Sequence, residues 1–481
     1  MALSEIDIYN QRTALLAAAS KWKLDAQRED MARYFFRLPN FSLIESGDRP
    51  FVVGRKGSGK TAIGDFIHSD VKYNKFSTRL SFKNFPFNEL YKMSNAEYSE
   101  SSQYITLWKF IVYHSLCWLM TKNEAVSAKM PSHINEYFDQ DPAVALDSSI
   151  RRWMSTGVKI NLFGVGGELS GGLYRASENT NWAERVDVIE NYVLSNIDES
   201  HYYVIFDELD EDYSAPPGQL RAERYFDLLR SLLKAVQTIQ SKSLKSGKRI
   251  IPIVLLRDDI YDAIRDHDKN KWSDLVFDLS WTPALLLDLV NHRLDRSLES
   301  YKSVSGVSLL HKVLKNSLRK SRLSGQQVPL IQFMMELTHL RPRDVLKMVQ
   351  SCASEAIEKD HRTITTDVVS NAEARYSQYL RQELVDEIHP ILPQIDDMMH
   401  VFPHFRSYIV QTADIEKYWK KINNTSDVFP ENTVVHLLHY FSIIGRRLNT
   451  GISFRHQNRT ARLTLPSAVV LHPGLRKSLF Y

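Results

Sequence analysis

The sequence has few of the features that define secreted, membrane-spanning or disulfide-stapled proteins. It contains 2 cysteines in 481 residues, which are too few for a disulfide framework or a zinc cluster. Cys117 and Cys352 both fall in apolar patterns with helical spacing, so we expect buried free thiols in a reducing compartment. No cationic stretch precedes an apolar core near the N-terminus, which predicts the absence of a signal peptide.

Long apolar runs are also missing. The most apolar window, residues 107–120, is interrupted by Lys109 and His114. It falls short of the roughly 20 apolar residues that a membrane-spanning helix needs. We therefore expect a soluble, cytoplasmic protein that does not engage a membrane.

Net charge is small, but it is unevenly distributed. Lys and Arg total 61 against 57 for Asp and Glu, a formal charge of +4, which argues against a nucleic-acid coat formed by the whole chain. After Glu431, however, there is no acidic residue at all. The basic residues of that segment are Arg446, Arg447, Arg455, Arg459, Arg462, Arg476 and Lys477. Such a segment suits contact with DNA phosphates, and the alternative is a module that binds protein or the rest of the chain.

Apolar runs alternate with helical patterns through the first half of the chain. The predicted strands are residues 51–53, 78–82, 202–206, 250–256 and 275–281. Strands that alternate with helices predict an α/β fold with a mostly parallel sheet covered on both faces. The helical stretch 95–155 and a β-hairpin predicted over 158–174 look like insertions into this core, where partner contacts often lie. Residues 286–380 have an almost entirely helical pattern.

The residues 54–61, GRKGSGKT, match a phosphate-binding loop in full. A predicted strand precedes the loop and a helix follows it, as this chemistry requires. The glycines allow backbone N–H groups to turn toward phosphate oxygens, and the helix N-terminus adds partial positive charge. The predicted nucleotide-binding residues of this loop are Gly54, Gly57, Ser58, Gly59, Lys60, Thr61 and Ala62. Lys60 would reach the β and γ phosphates, and the Thr61 hydroxyl would bind Mg²⁺.

The second motif is acidic and follows the apolar run 202–206. Asp207 would end a strand at the same sheet edge as the phosphate loop and hold Mg²⁺ directly or through water. Glu208 would polarise the attacking water, because hydrolysis needs a base within hydrogen-bond reach. A solvated acidic turn is the alternative, and Asp210 belongs to the same cluster without an assigned role.

Arginines at three places could report on a bound phosphate. Arg257 ends a predicted strand and is a candidate sensor and catalytic residue; the alternative is an ion pair with Asp258 and Asp259. Arg341 and Arg343 flank Pro342 at the start of a predicted helix. Either could bind phosphates or form a capping cluster, and we favour Arg343. Arg221 and Arg224 could act in trans, although a solvated helix face is the simpler interpretation.

In order along the chain, FVVGRKGSGKTAI, YYVIFDELD, IPIVLLRDDIYDAI, VFDLSW and LRPRDVLKMV together resemble the AAA+/STAND superfamily of P-loop ATPases, especially bacterial members similar to the Orc/Cdc6 group. The resemblance implies Walker A and B roles for Lys60, Thr61, Asp207 and Glu208, a sensor 1 role for Arg257, and a sensor 2 role for the Arg-Pro-Arg helix start. It also implies a helical lid and a C-terminal winged helix. The expected domains are 1–40, 41–285 with an insertion at about 95–175, 286–385, and 386–481.

The C-terminal residues support a winged helix independently. We predict a helix over 433–445 that ends at Gly445, followed by strands 452–456 and 461–465 with a basic turn between them. A closing helix would follow in the last residues of the chain.

Three functions are compatible with these observations. The first is an ATP-hydrolysing switch that uses ATP and Mg²⁺ and moves its lid and winged helix, as a homo-oligomer or with an effector protein. The range of the resembled family suggests a bacterial defence or stress system as the setting of such a switch. The second is a nucleotide-stabilised scaffold with negligible turnover. The third is a DNA-binding protein that ATP licenses for loading.

Overall fold

The computed structural model describes residues 5–83, 87, 100–155, 182–213, 220–297, 309–422, 432–449 and 451–480. The hairpin predicted over 158–174 lies outside these residues. The described chain divides into two compact units. We call residues 37–55 and 60–279 the sheet unit, and residues 1–36, 56–59 and 280–481 the C-terminal unit.

The strands of the described residues are β1 Phe51–Gly54, β2 Lys75–Ser81, β3 His201–Asp207, β4 Arg249–Arg257, β5 Val276–Asp278, β6 Leu318–Lys320, β7 Gln327–Pro329, β8 Ile409–Gln411, β9 Ile444–Leu448, β10 Gly451–Ser453 and β11 Ala468–Leu471. The longer helices used below are α1 Glu5–Ser20, α2 Lys60–Ser69, α3 Glu100–Lys122, α4 Trp182–Asn196, α5 Leu220–Lys245, α6 Pro283–Ser297, α7 Leu330–Glu336, α8 Pro342–Glu358, α9 Thr366–Ile388, α10 Thr412–Ile422 and α11 Thr433–Tyr440. Shorter helical segments are Ala26–Arg28, Met31–Tyr34, Ser42–Glu45, Glu124–Ser127, Ser132–Tyr137, Pro142–Ser155, Leu209–Asp212, Asp258–Ala263, Lys269–Trp272, Ser273–Leu275, Leu310–Val313, Ile395–Met399, Phe402–Phe405, Pro473–Leu475 and Arg476–Phe480.

The sheet unit is built on a five-stranded parallel sheet with the order β2-β3-β4-β1-β5. All four residues of β1 are buried, as are the last six of β3 and the last eight of β4. Continuous apolar runs of this kind suit strands with both faces covered. The predicted α/β class with a parallel sheet is therefore confirmed.

Helix α3, which the sequence pattern placed in an insertion, belongs to the hydrophobic core of the sheet unit. Trp108 is fully buried, donates from Nε1 to Leu228 O of α5 at 2.9 Å, and meets the Phe206 ring of β3 edge-on. A long apolar pattern with aromatic residues at helical spacing thus reflects a helix that is buried against the sheet. Cys117 of this helix is buried and free, as is Cys352 in the other unit.

The C-terminal unit joins helices to a small antiparallel sheet. Helix α1 packs against α6 and α8, and α8 packs against α9. In addition to helices, the segment 309–336 contains the antiparallel hairpin β6–β7. The second sheet has the strand order β10-β9-β11-β8, with antiparallel pairs throughout.

Two local predictions in this region are wrong. The predicted helix 433–445 ends at Tyr440, because Ser442 takes a left-handed φ of 58° and Ile443 N donates back to Leu438 O at 2.9 Å. Gly445 is instead a strand residue of β9, where an added Cβ would lie 2.7 Å from the Phe454 ring.

The predicted strand 461–465 is also not formed. The last strand is β11, Ala468–Leu471, which lies beside β9 while β10 takes its other side. Among the described residues, no helix has both the length and the apolar character needed to cross a membrane.

Candidate functional site

The phosphate-binding loop connects the buried end of β1 to the first turn of α2. Gly57 and Gly59 take φ values of 77° and 100°, a region that side chains with a Cβ rarely adopt. The glycines therefore let the loop turn back sharply before α2 begins at Lys60. Thr61 and Ala62 follow in the first turn of that helix.

Lys60 is held against the loop itself. Its Nζ donates to the carbonyl oxygens of Gly54 at 2.8 Å and Arg55 at 3.0 Å. Burial lowers the pKa of Lys60, and the carboxylate of Asp210 opposes this shift, as does that of Asp207. The ammonium group is thus satisfied by carbonyl oxygens that phosphate oxygens could replace.

The sheet topology places this loop at a crevice. The chain leaves β1 toward β2 at one edge of the sheet and leaves the adjacent strand β4 toward β5 on the other side of β1. Ligands of open parallel sheets bind at such a divergence, beyond the carboxyl ends of the strands. Gly54 and Arg257 are opposite one another at this end of the β1–β4 pair.

Asp207 is the last residue of β3 and Glu208 follows it at the same edge of the sheet. Asp207 is 3% exposed, and its Oδ1 accepts from Glu208 N at 2.9 Å. Glu208 takes a left-handed φ of 58°, and its carboxylate accepts a hydrogen bond from Ser81 Oγ at the end of β2. The backbone turn immediately after Asp207 thus directs two successive carboxylates to different partners.

Arg79 of β2 lies between two carboxylates of the sheet unit. It donates from Nε and Nη2 to Asp207 Oδ2 at 3.1 and 2.8 Å, and from Nη1 to Asp65 Oδ1 at 2.7 Å. Arg79, Asp65 and Ser81 were not predicted from the sequence. The position of Asp65 four residues after Thr61, on the same face of α2, was the available signal.

Arg257 forms an ion pair with Asp259, one of the two aspartates named in the alternative to a sensor role. Its Nε and Nη2 donate to Asp259 Oδ1 and Oδ2 at 3.0 and 2.6 Å, and Nη1 lies 3.5 Å from Asp210 Oδ2. The guanidinium is therefore engaged at the sheet edge, where it also contributes to the electrostatic field at Lys60.

Arg341 and Arg343 differ sharply in environment within the C-terminal unit. Arg341 is 2% exposed and holds Asp344 with two hydrogen bonds of 2.7 and 3.0 Å, and Glu387 with one of 3.0 Å. Arg343 makes one partly exposed ion pair with Glu383 at 3.2 Å. Within the part of the chain that the structure describes, Arg341 is thus held by two acids, whereas the side chain of Arg343 has one acidic partner, which solvent reaches.

Residues 56–59, the tip of the loop, belong to this same unit. Arg341 Nη1 lies 3.3 Å from Lys56 O, and Arg343 N lies 3.5 Å from Gly57 O. Ser58 is 3% exposed, and its Oγ has no hydrogen-bond partner among the described residues. An orphaned buried hydroxyl in this loop fits a ligand that supplies an acceptor or a donor.

The oxygen donors at the edge fit magnesium. The Thr61 hydroxyl and the Asp207 carboxylate are hard ligands of the kind that Mg²⁺ takes in small number together with substrate phosphates and water.

The two arginines considered for action in trans, Arg221 and Arg224, lie on α5.

A histidine cluster that no sequence motif predicts lies elsewhere in the C-terminal unit, with His339 and His472 buried and His456 half-buried. Ring nitrogens of His339, His456 and His472 lie within 4.8 Å of one another. His472 Nδ1, however, accepts from Gly474 N at 3.1 Å, so its Nε2 carries the hydrogen in the neutral ring. This tautomer suits hydrogen bonding and ring packing better than metal coordination, in which the second ring nitrogen normally donates.

Comparison with known proteins places a family match on the helical part of the chain. Residues 284–385 match the FunZ-associated C-terminal helical domain. The chain is also 22% identical over 463 residues to a transposon gamma-delta 80.3 kDa protein of Escherichia coli K12. That alignment covers 90% of this chain and 62% of the relative, so the chain spans less than two thirds of the relative's length.

Solved structures of the Orc/Cdc6 group are distantly similar. The Aeropyrum pernix ORC2 protein in ADPNP–ADP complexes is 12% identical with a TM-score of 0.37, covering 92% of this chain and 89% of that one. The A. pernix ORC1 protein in complex with DNA is 11% identical with a TM-score of 0.34, covering 98% and 93%. Cdc6p from Pyrobaculum aerophilum is 11% identical with a TM-score of 0.34, covering 96% and 95%. These proteins belong to the Orc/Cdc6 group of AAA+ ATPases that the motifs resemble.

Proposed function

We propose that this protein binds ATP with Mg²⁺ and hydrolyses it. One observation carries the proposal: a complete phosphate-binding loop begins at the end of β1, and Asp207 and Glu208 lie at the end of β3, at the same edge of one parallel sheet. In this proposal Lys60 exchanges its two carbonyl partners for phosphate oxygens, and Ser58 uses its buried hydroxyl on the nucleotide. Thr61 and Asp207 hold the cation, which would neutralise phosphate charge as it develops.

Glu208 is the proposed base for the attacking water. A base must lie within hydrogen-bond reach of the proton it accepts, and the Glu208 carboxylate now accepts from Ser81 Oγ. We propose that hydrolysis requires Glu208 to exchange this hydroxyl for the water. Arg257 would sense the γ-phosphate from the end of β4, after partly releasing Asp259.

Two substitutions test hydrolysis and binding separately. Glu208→Gln should bind ATP with little change and lower phosphate release by about 10²–10⁴-fold, the usual contribution of a general base. Lys60→Ala should lose nucleotide binding, measured by calorimetric titration. Glu136→Gln and Lys129→Ala make the same changes at exposed positions of the sheet unit and should behave as wild type. Wild-type phosphate release no higher than that of Lys60→Ala would refute an ATPase.

We further propose that nucleotide state is coupled to the helical segment through Arg343. Its single, partly exposed ion pair with Glu383 can be exchanged at lower cost than the enclosed contacts of Arg341. ATP binding would then fix one arrangement of the lid, and hydrolysis would release it. The proposed domains remain 1–40, 41–285, 286–385 and 386–481, and the family match over 284–385 supports the third.

The second candidate is a scaffold that binds nucleotide with negligible turnover and assembles with an effector protein or with further copies of itself. Glu208→Gln discriminates between the two, because a scaffold would be unaffected by this change. Purification of the Glu208→Gln protein with ATP, followed by imaging of the assembly, identifies copies and partners together. A role in bacterial defence would be tested by phage challenge of cells that carry the Lys60→Ala protein.

DNA contact through the C-terminal segment is a third candidate. The order β8, α10, α11, β9, β11 in a small antiparallel sheet supports a winged-helix-like domain. Helix α11 carries no Lys, Arg, Asp or Glu, and its exposed residue is His436. The cations instead lie on and after β9, so we propose contact with phosphates by the strands and the following turn rather than base recognition by the helix.

Salt dependence tests the DNA candidate. Reversal of Arg455 and Arg459 to Glu should weaken duplex binding. The plot of log affinity against log salt should become less steep by about 2, because binding then neutralises fewer phosphates and releases fewer counterions. Matched reversals at exposed Lys129 and Arg249 should leave that slope unchanged. An unchanged slope in the Arg455 and Arg459 variant would exclude this surface.

A further inference from the structure

Arg79 occupies a position at which the backbone makes room for its long side chain. It lies on β2 opposite Ile205 of β3, and its Cδ would be 3.9 Å from a Cβ added to Gly64. The same added Cβ would lie 3.0 Å from Leu255 Cδ1 and 3.4 Å from Ile205 Cγ2. Gly64 therefore allows α2 to approach the sheet closely enough for the guanidinium of Arg79 to reach both elements.

The guanidinium uses three of its nitrogens on two carboxylates. Asp207 Oδ2 accepts from Nε and Nη2, while Asp65 Oδ1 accepts from Nη1. The side chains of Arg79, Asp207 and Asp65 are 16%, 4% and 17% exposed. A planar, forked donor can satisfy this arrangement, whereas the single ammonium of Lys cannot.

The contacts determine which oxygen of Asp207 remains open. Each carboxylate oxygen has two acceptor sites. Oδ2 accepts two hydrogen bonds from Arg79, and Oδ1 accepts one, from Glu208 N. Among the described residues, one acceptor site is thus left on Oδ1, and the contacts of Oδ2 hold the carboxylate in place.

Arg79 also connects two elements that carry the proposed magnesium ligands. Asp65 lies one turn after Thr61 on the same face of α2, and Asp207 ends β3. The single guanidinium therefore couples the helix of Thr61 to the strand of Asp207.

We propose that Arg79 is a positioning residue for the divalent cation: it orients Asp207 so that Oδ1 is presented to Mg²⁺ or its water, and it fixes α2 relative to β3. This inference rests on the proposed function, because it takes Thr61 and Asp207 as the ligands. Arg79 itself does not touch the cation. Its role is that of a hydrogen-bonded partner behind a metal ligand, a kind of residue whose loss commonly lowers metal affinity 10–100-fold.

The test separates cation affinity from nucleotide affinity. ADP binding is measured by calorimetric titration over a range of Mg²⁺ concentrations and in EDTA. Arg79→Met and Arg79→Lys should raise the Mg²⁺ concentration at which the enhancement of ADP affinity is half-maximal by about 10–100-fold. Their ADP affinity in EDTA should stay within about threefold of wild type. Arg249→Met and Arg249→Lys, at an exposed position of β4, are the matched controls.

The double variant Arg79→Met/Asp65→Asn shows whether Asp65 acts through Arg79. If it does, the Mg²⁺ requirement of the double variant should be no higher than that of Arg79→Met alone. Arg79→Lys keeps the charge, so it remains informative if Arg79→Met fails to fold.

Three outcomes would overturn the inference. The first is an unchanged Mg²⁺ requirement. The second is a lower requirement, which would mean that Arg79 chiefly repels the cation. The third is an equal loss of ADP affinity with and without Mg²⁺, which would indicate a purely structural role. If the wild-type protein binds no nucleotide with or without Mg²⁺, both the proposed function and this inference are refuted. Normal Mg²⁺-dependent binding by all Arg79 variants would overturn the inference alone.

Discussion

Replacement of Arg341 by Met should destabilise the C-terminal unit strongly, although the two side chains are similar in length. Asp344 is fully buried and Glu387 is 5% exposed, and Arg341 is 2% exposed between them. Burial by itself would lower the pKa of Arg341, but Asp344 and Glu387 raise it above its ordinary value, so the charge is kept. Breaking a buried pair by removing one partner costs about 3–5 kcal/mol, because the remaining charge is left without compensation.

Urea unfolding, with hydrogen exchange along residues 342–358 to assign the transition to this unit, measures the loss. Arg375→Met is the matched control, because Arg375 pairs with Glu358 at the surface with both side chains about half exposed. The control should lose less than about 1 kcal/mol. Adding Asp344→Asn to Arg341→Met should recover part of the stability, since one buried charge is then removed. A loss below about 1 kcal/mol for Arg341→Met would refute the assignment of Arg341 as an enclosed ionic partner.

Further predictions concern backbone geometry and pH. Gly474→Ala should lower the free energy of unfolding by at least about 2 kcal/mol, because the new Cβ would lie 2.1 Å from Leu337 O; a urea midpoint equal to wild type would contradict this. Gly59→Ala should weaken ADP binding measured by calorimetry, because a φ of 100° costs a residue with a Cβ about 1–2 kcal/mol even though the space around it is open. Burial lowers the pKa of His439 from 6.5 to about 4. Between these two pH values, His439 is therefore protonated in the unfolded chain and neutral in the folded chain. The contribution of neutral His439 to stability should therefore be complete above pH 6.5 and be lost as the pH drops toward 4. The urea midpoint of His439→Leu should accordingly depend less on pH over that range than the wild-type midpoint; an equal dependence would contradict the shift.

Several features of the fold and the candidate site follow from contiguous residues. The octet 54–61 predicts its own loop, because glycine frees the backbone locally and the flanking patterns form a strand and a helix. The apolar run before Asp207 predicts a buried strand with a carboxylate at its end. Cys117 and Cys352 were expected to be buried free thiols, and both are.

The C-terminal predictions show where local patterns mislead. Gly445 looked like a helix cap because glycine often follows the last turn. The helix instead ends with Ser442 in a left-handed conformation, and Gly445 accommodates the Phe454 ring in a strand. Which of the two roles a glycine takes depends on a side chain outside its own helix or strand, here that of Phe454.

The sequence by itself determined the parallel α/β class, the phosphate-binding loop and the acidic pair after β3, because each depends on backbone preferences and side-chain order within a few residues. Only the tertiary structure decided which side chains surround that acidic pair. Arg79 and Asp207 are 128 residues apart in the chain, and they meet because β2 and β3 pair in one register. Tertiary packing likewise enclosed Arg341 between two acids and left Arg343 with one. Local propensity acts over a few residues, whereas burial and charge compensation are settled among elements that only the folded chain brings together.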